Sequence, residues 1–355
     1  VENDLLKYLR MGDGIWSFPY IYDSESIQMS KIYFNTDWLE AVGKEMPVTL
    51  DEYLDVFRAF RDQDANGNGD PSDEIPLGLS DADNFISIFA GAYGLMNRGT
   101  TNTYLDADPD DPTGNTLRFW RGDDAMKDLL KMYKQYWDEG LISHNLYDAD
   151  YYILFDNMHH EDRHGAHAAW VTVSGQGMID KFIAPNEPPI GPAGQMWSYI
   201  SGKIAQKAGL VITKECEDPA AMVAWANYNY TQQGAYDYFL GIEGESYIID
   251  EDGHTQLTDL INNNPDGMTV DQAILRYSLY PLGYNPSLAT DETFKGGETY
   301  WTSLEGTERF SPYKPEVVWE AIPLSVDQAE TISFCRGDLE AVIAEYEGKF
   351  VTGVL

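Results

Sequence analysis

The sequence predicts an α/β protein of two domains, and three observations support this. Amphipathic helical segments alternate with short apolar, β-rich runs. The alternation restarts after the turn residues Pro192 and Gly194. The 355 residues also supply about two domains at roughly 150 residues each. With 43% hydrophobic and 13% aromatic residues, the chain can bury a core in each half despite its charge.

The first element is the β-rich run Lys31-Ile32-Tyr33-Phe34, followed by a turn-and-helix segment from Asn35 to Leu39. After Pro47, Thr49 and Glu52 form a capping box, and Leu50, Tyr53, Leu54, Phe57 and Phe60 recur at helical spacing. That helix ends in a polar loop from Asp62 to Asp73. Another amphipathic helix is expected over 123–138, with Met126, Leu129, Leu130, Tyr133 and Trp137 inward and Gly140 ending it. The run Gly165 to Val173 then reads as a buried strand. In the second half a strand is expected from Ala208 to Thr213 and a helix from Pro219 to Gln233, with Ala221, Val223, Ala224 and Trp225 as packing residues. Residues 250–310 are irregular, and a helix over 325–346 follows Pro323 and Ser325.

Charge narrows the partners. Lys and Arg number 23 against 59 Asp and Glu, a net charge of −36. Such a field repels phosphate backbones and anionic lipid, so nucleic acid and membrane surfaces are excluded as partners, while cations and neutral, hydroxyl-rich molecules fit. Cys216 and Cys335 are far apart and lack metal-ligand spacing, which leaves their disulfide state and the redox compartment open. No run approaches a membrane span. The opening VENDLLKYLR is not a signal peptide, so any export signal is expected to have been removed or to lie outside this chain.

The sharpest chemical motif is Asp62-Gln63-Asp64-Ala65-Asn66-Gly67-Asn68-Gly69-Asp70-Pro71-Ser72-Asp73-Glu74. Calcium takes six to eight hard oxygen ligands, which alternate residues of a tight loop can supply. From Asp62 the EF-hand spacing is met, with Gly67 at position 6 and Asp73 at position 12; a second register starts at Asp64 and ends on Asp73 and Glu74. A structural Ca2+ is expected here. A second string, His160-Glu161-Asp162-Arg163-His164, spells the zinc-peptidase helix motif and has His159 and His167 beside it. Charged residues between Glu161 and His164, and Gly165 immediately after, favour a polar helix end over a zinc site.

The aromatic excess suits sugar binding, because flat rings stack on the apolar faces of pyranose rings while nearby polar groups take the hydroxyls. Trp137, Trp225 and Phe60 lie on helical stripes and are expected in the core. Tyr20, Tyr22 and Trp170 are the leading ligand candidates, with Trp197, Tyr247 and Trp301 behind them.

Several blocks in order resemble the family 1 extracellular solute-binding proteins of bacterial ABC importers, in particular the Gram-positive oligosaccharide-binding lipoproteins related to alginate-binding and maltose-binding proteins. These blocks are IYFNTDWLEAVGKEMPVTLDEYLDVFRAF, DANGNGDPSDEIPL, MYKQYWDEGLIS, the helix from Pro219, GIEGESYIIDEDG and EYEGKFVTG. The resemblance implies a two-lobed, type II periplasmic-binding-protein-like fold with a hinge and a ligand cleft between the lobes. The first lobe would comprise 1–30 and 208–310, incomplete because the family's N-terminal βα units are absent, and the second 31–207 and 311–355. It places the calcium ligands on Asp64, Asn66, Asn68, Asp70, Asp73 and Glu74, with the choice between Asn68 and Asp70 as side-chain donor left open by the extra Pro71 and Ser72. It implies a non-enzymatic, monomeric protein, an extracellular cell-surface lipoprotein of a Gram-positive bacterium or else a periplasmic protein, that captures a neutral oligosaccharide and delivers it to an ABC transporter permease. The alternatives are a zinc hydrolase using His160, Glu161 and His164, and a calcium-stabilised adhesion or scaffolding module.

Overall fold

A computed structural model describes residues 5–11, 14–147, 162–170, 179–251, 253–268, 270–279, 286–295 and 298–355. In chain order, the elements that position the candidate residues are β1 (Phe18–Asp23), β2 (Lys31–Asn35), α1 (Thr36–Ala41), α2 (Leu50–Asp62), β3 (Ile75–Gly78), α3 (Ala82–Phe89), α4 (Asp124–Asp138), β4 (His164–Ala169), β5 (Phe182–Ile183), β6 (Ile204–Leu210), α5 (Pro219–Asn229), α6 (Gln232–Phe239), β7 (Tyr247–Ile249), β8 (Thr255–Leu257), β9 (Ser287–Thr290), α7 (Glu298–Phe310) and α8 (Val326–Val351). The architecture is mixed α/β. Chain contacts divide it into one unit of Val1–Gln28, Gly202–Trp301 and Glu320–Ala329, and another of Met29–Ser201, Thr302–Trp319 and Glu330–Leu355. These divisions differ from the expected 30/31, 207/208 and 310/311, because β6 begins at Ile204 and α7 carries the chain across within one helix.

The larger unit is built on a sheet of order β3-β4-β2-β5, in which β3 runs parallel to β4 and β2 runs antiparallel to β4 and β5. All of β2 is buried, as befits a strand covered on both faces. The Asn35 side chain accepts from the backbone of Asp37 and Trp38, which satisfies the first N–H groups of α1. The Thr49 and Glu52 capping box starts α2 as expected. Its inward rings stack: Phe34 lies on Phe57 at 5.5 Å, and Phe85 of α3 lies on Tyr133 of α4 at 4.2 Å. Gly165 lets β4 cross this cluster, since a Cβ there would lie 2.2 Å from Phe60 Cδ2.

The smaller unit has a three-stranded sheet, β6-β1-β9, with β6 antiparallel and β9 parallel to β1. Tyr20, Tyr236, Tyr238, Phe239 and Tyr247 form its core, and β7 and β8 pair beside it. Two expectations fail in this unit. The strand expected over Ala208 to Thr213 is β6, Ile204–Leu210: Leu210 already pairs with the start of β1 at Phe18, so nothing remains for 211–213 to pair with. The helix expected to run to Gln233 breaks at Tyr230, because Thr231 caps a new helix by accepting from the Gly234 N–H at 3.1 Å. Its packing face is also different: Ala226 and Asn229 are buried, whereas Ala221, Val223, Ala224 and Trp225 are exposed.

Candidate functional site: aromatic platforms and an oxygen-rich loop

Alternation along a strand puts residues two apart on one face, so Tyr20 and Tyr22 of β1 project together, with ring centroids 5.1 Å apart. Tyr20 is buried and leans on Phe239 at 6.2 Å, while Tyr22 is only partly buried. Trp170 follows the last residue of β4 and is 38% exposed. Trp301 lies on α7 and is 47% exposed, edge-on to Tyr300 and to His254.

Trp197 and Tyr247 require correction. The Trp197 indole is sealed in the core, donates from Nε1 to the Ser30 carbonyl at 2.7 Å and meets Phe310 at 4.7 Å. Tyr247 is equally buried against Tyr236, and burial raises its phenol pKa. Tyr20 shares this limit. A ring with no open face cannot stack on a sugar, and of the six candidates Trp170 and Trp301 are exposed and Tyr22 is partly so. Sequence reasoning passed over Trp16, which is 66% exposed in the smaller unit; its only signal was an aromatic-rich context shared with Tyr20 and Tyr22.

The loop after α2 folds on its own side chains, with Gly67 and Gly69 at positive φ making the turns. The Asn66 Oδ1 accepts from the Asn68 N–H, the Asn68 Oδ1 from the Asp70 N–H, and the Asp70 Oδ1 from the Ser72 N–H and hydroxyl. Asp70 is exposed, and the Ser72 hydroxyl helps hold its pKa down. The Asn66 and Asn68 amides donate to the two oxygens of Asp73. Asp62 faces away, with both oxygens on the Arg61 guanidinium, which lowers its pKa and favours a register beginning at Asp64.

Two oxygens in this loop are left over. Asp64 accepts from the Gly69 N–H through Oδ2, and Glu74 accepts from the Ala65 N–H through Oε1. Asp64 Oδ1 and Glu74 Oε2 are out of water and accept no hydrogen bond. Burial raises the Glu74 pKa. A pair of orphaned carboxylate oxygens is the donor set a hard cation satisfies, so the loop fits calcium. Among the described residues, no three His, Cys, Asp or Glu side chains converge into a cage, so amide and backbone oxygens would have to complete the coordination.

His160 and Glu161 lie outside the described residues, as does His159. His164 is described, and it opens a strand. It is buried, stacks on Phe182 at 4.9 Å and lies 3.3 Å from His167 through their ring nitrogens. The zinc-peptidase motif needs both histidines on one helical face. A second histidine in a strand does not meet that requirement.

No family model matches the chain. Over 233 residues it is 28% identical to the fructooligosaccharide ABC transporter substrate-binding protein FusA of Streptococcus pneumoniae, covering 61% of this chain and 40% of that protein. Over 138 residues it is 30% identical to lipoprotein LipO of Bacillus subtilis, covering 35% and 23%. The chain spans less than half the length of these curated relatives. Among solved structures, FusA in complex with kestose superposes with a TM-score of 0.75 at 20% identity, over 99% of this chain and 72% of that one. A human-milk-oligosaccharide (HMO) binding solute-binding protein from Bifidobacterium longum infantis gives 0.77 at 20%, over 99% and 73%. Alginate-binding protein AlgQ2 without calcium ion gives 0.70 at 16%, over 96% and 68%. One FusA structure is of an EF-hand mutant. The homologues are ABC-transporter substrate-binding proteins, and the chain has their α/β fold.

Proposed function

We propose that this chain is the capturing component of an ABC importer, an extracellular lipoprotein that binds a neutral oligosaccharide and presents it to the membrane permease. The observation carrying this reading is the fold match over 99% of the chain to substrate-binding proteins solved as sugar receptors, joined to sequence likeness over 233 residues. Trp170, Trp301 and Tyr22 are the stacking surfaces, and neighbouring amides and carboxylates take the hydroxyls. No bond is broken; the protein acts as a monomer, and its ligand is bound and released. A net charge of −36 favours neutral sugars over acidic ones. Among the described residues no helix is long and apolar enough to cross a membrane.

A structural calcium ion belongs to the same proposal. Asp64 and Glu74 would hold it through their orphaned oxygens, with backbone oxygens and the Asn66 and Asn68 amide oxygens completing the set once those amides turn from donating to Asp73 to accepting. Asp70 stays at the rim. The ion supplies charge neutralisation and a fixed loop geometry between α2 and β3, with no part in chemistry.

The test is melting temperature against kestose, fructo-nystose, an HMO fraction and an alginate oligosaccharide. A ligand that binds only the folded state raises stability as its concentration passes Kd. A shift with neutral sugars, no shift with alginate and a loss of about 1–3 kcal/mol of binding in Trp170→Ala are expected. Absence of any saccharide shift sinks the reading.

A further inference from the structure

A buried cation lies beneath Trp170, and sugar stacking by itself does not use it. Lys31, the first residue of β2, is fully buried and pairs across the sheet with Ala169. Its Nζ donates to the Met29 carbonyl at 2.9 Å, the Trp170 carbonyl at 2.6 Å and the Ser303 Oγ at 2.8 Å. An ammonium group has three N–H donors, so it can serve several acceptors at once. The Ser303 hydroxyl donates in turn to the Trp170 carbonyl at 2.5 Å. Ser303 is held by its helix: the Thr307 hydroxyl bonds its carbonyl at 2.8 Å, and Gly306 lets α7 come close, since a Cβ there would lie 3.0 Å from Ala184 Cβ and 3.6 Å from Lys31 Cγ. Tyr33, two residues along β2, is fully buried, and burial raises its phenol pKa, so it stays neutral.

Burying an ammonium group is costly, and an apolar residue of similar length would fill the same space at lower cost. Here the cation ends on the backbone of an exposed indole. We propose that Lys31 and Ser303 are positioning residues: they pin the Trp170 carbonyl from two sides, so that the indole is a rigid surface before the sugar arrives. A preorganised ring loses less freedom on binding, and this is where affinity is gained. The inference rests on Trp170 being a sugar platform.

The experiment uses the full chain labelled with 5-fluorotryptophan, with the 19F lines of Trp170 and Trp38 assigned by substitution with Phe. In Lys31→Met and in the milder Ser303→Ala, the Trp170 line is expected to shift or split while the Trp38 line holds. Affinity for kestose, or for whichever panel sugar raised the melting temperature most, is expected to fall about tenfold in Lys31→Met and less than about twofold when Lys31→Met is added to Trp170→Ala. An unmoved Trp170 line in both variants overturns the proposal, with or without a bound sugar, and so do losses that simply multiply. Unchanged affinity in Trp170→Ala brings down the platform reading itself, a result distinct from either.

Discussion

Two acidic loops of the larger unit look alike in sequence and differ in what their carboxylates touch. The loop from Asp62 to Glu74 is rich in Asp, Asn and Gly, and so is Asp108-Pro109-Asp110-Asp111-Pro112-Thr113-Gly114-Asn115. In the second loop Asp111 accepts from the Thr113 hydroxyl and N–H through one oxygen and from the Asn115 and Thr116 N–H groups through the other. The Thr113 hydroxyl foremost, with Thr116 next, holds that carboxyl far below the usual range. In the first loop, burial pushes Glu74 the other way, and Asp64 Oδ1 and Glu74 Oε2 have no donor. Counting carboxylates does not find a cation site. A carboxylate whose hydrogen bonds are missing is the better pointer, because such a group has more to gain from a cation than one already satisfied by its own backbone.

Calcium gives the largest separation between the loops. At calcium a hundredfold above its Kd, the folded state gains about 2.7 kcal/mol, or about 5–10 °C in melting temperature for a domain of this size, and excess EGTA removes it. A melting curve indifferent to EGTA means that the first loop closes on itself as the second does. Next, Glu74→Gln should abolish the calcium response and, in EGTA, melt no lower than the parent, because it removes a partly buried charge with one orphaned oxygen while an amide oxygen can still accept from the Ala65 N–H. Asp111→Asn should keep the full calcium response and melt lower with or without the ion. If the two variants exchange these behaviours in calorimetry, the comparison is reversed.

The smallest effect is in pH. Because the folded-state pKa of Glu74 is raised, the native state holds its proton more tightly than the unfolded chain, and its contribution to stability is lost as pH rises past the ordinary glutamate value. The folded-state pKa of Asp111 is depressed, so its contribution is present above the ordinary aspartate value and lost as pH falls below it. In EGTA, the difference between wild type and Glu74→Gln should therefore shrink on acidification from neutrality toward about pH 4, whereas that between wild type and Asp111→Asn should shrink only below about pH 4. Melting curves from pH 3 to 7 measure both.

Other pairs of regions show the same limit on what a sequence can say. Helices α2 and α5 both carry clear start signals, and both start where those signals lie, after Thr49 and at Pro219. The apolar stripe of α2 also predicts its buried face, down to Phe57 and Phe60. That of α5 does not: Val223 and Trp225 lie in solvent, because the unit meets this helix only along Ala226 and Asn229. Among the tryptophans, the sequence offers both Trp170 and Trp197 as ligand candidates, with Trp170 ahead. One is exposed and the other is sealed against Phe310.

By itself, the sequence determined the α/β class, the caps of α2 and α4, the strand at Lys31 and the oxygen-rich loop, because these follow from local rules: cap chemistry, 3.6-residue periodicity and the backbone freedom of glycine. Tertiary structure decided which aromatic rings keep an open face, which carboxylate oxygens are left without donors and that a lysine is buried under Trp170. The rings and the lysine depend on what a distant segment brings across: Phe310 onto Trp197 and Ser303 onto Lys31. Burial and hydrogen-bond satisfaction are set by neighbours that lie far away in the chain, and such neighbours leave no mark on the local pattern.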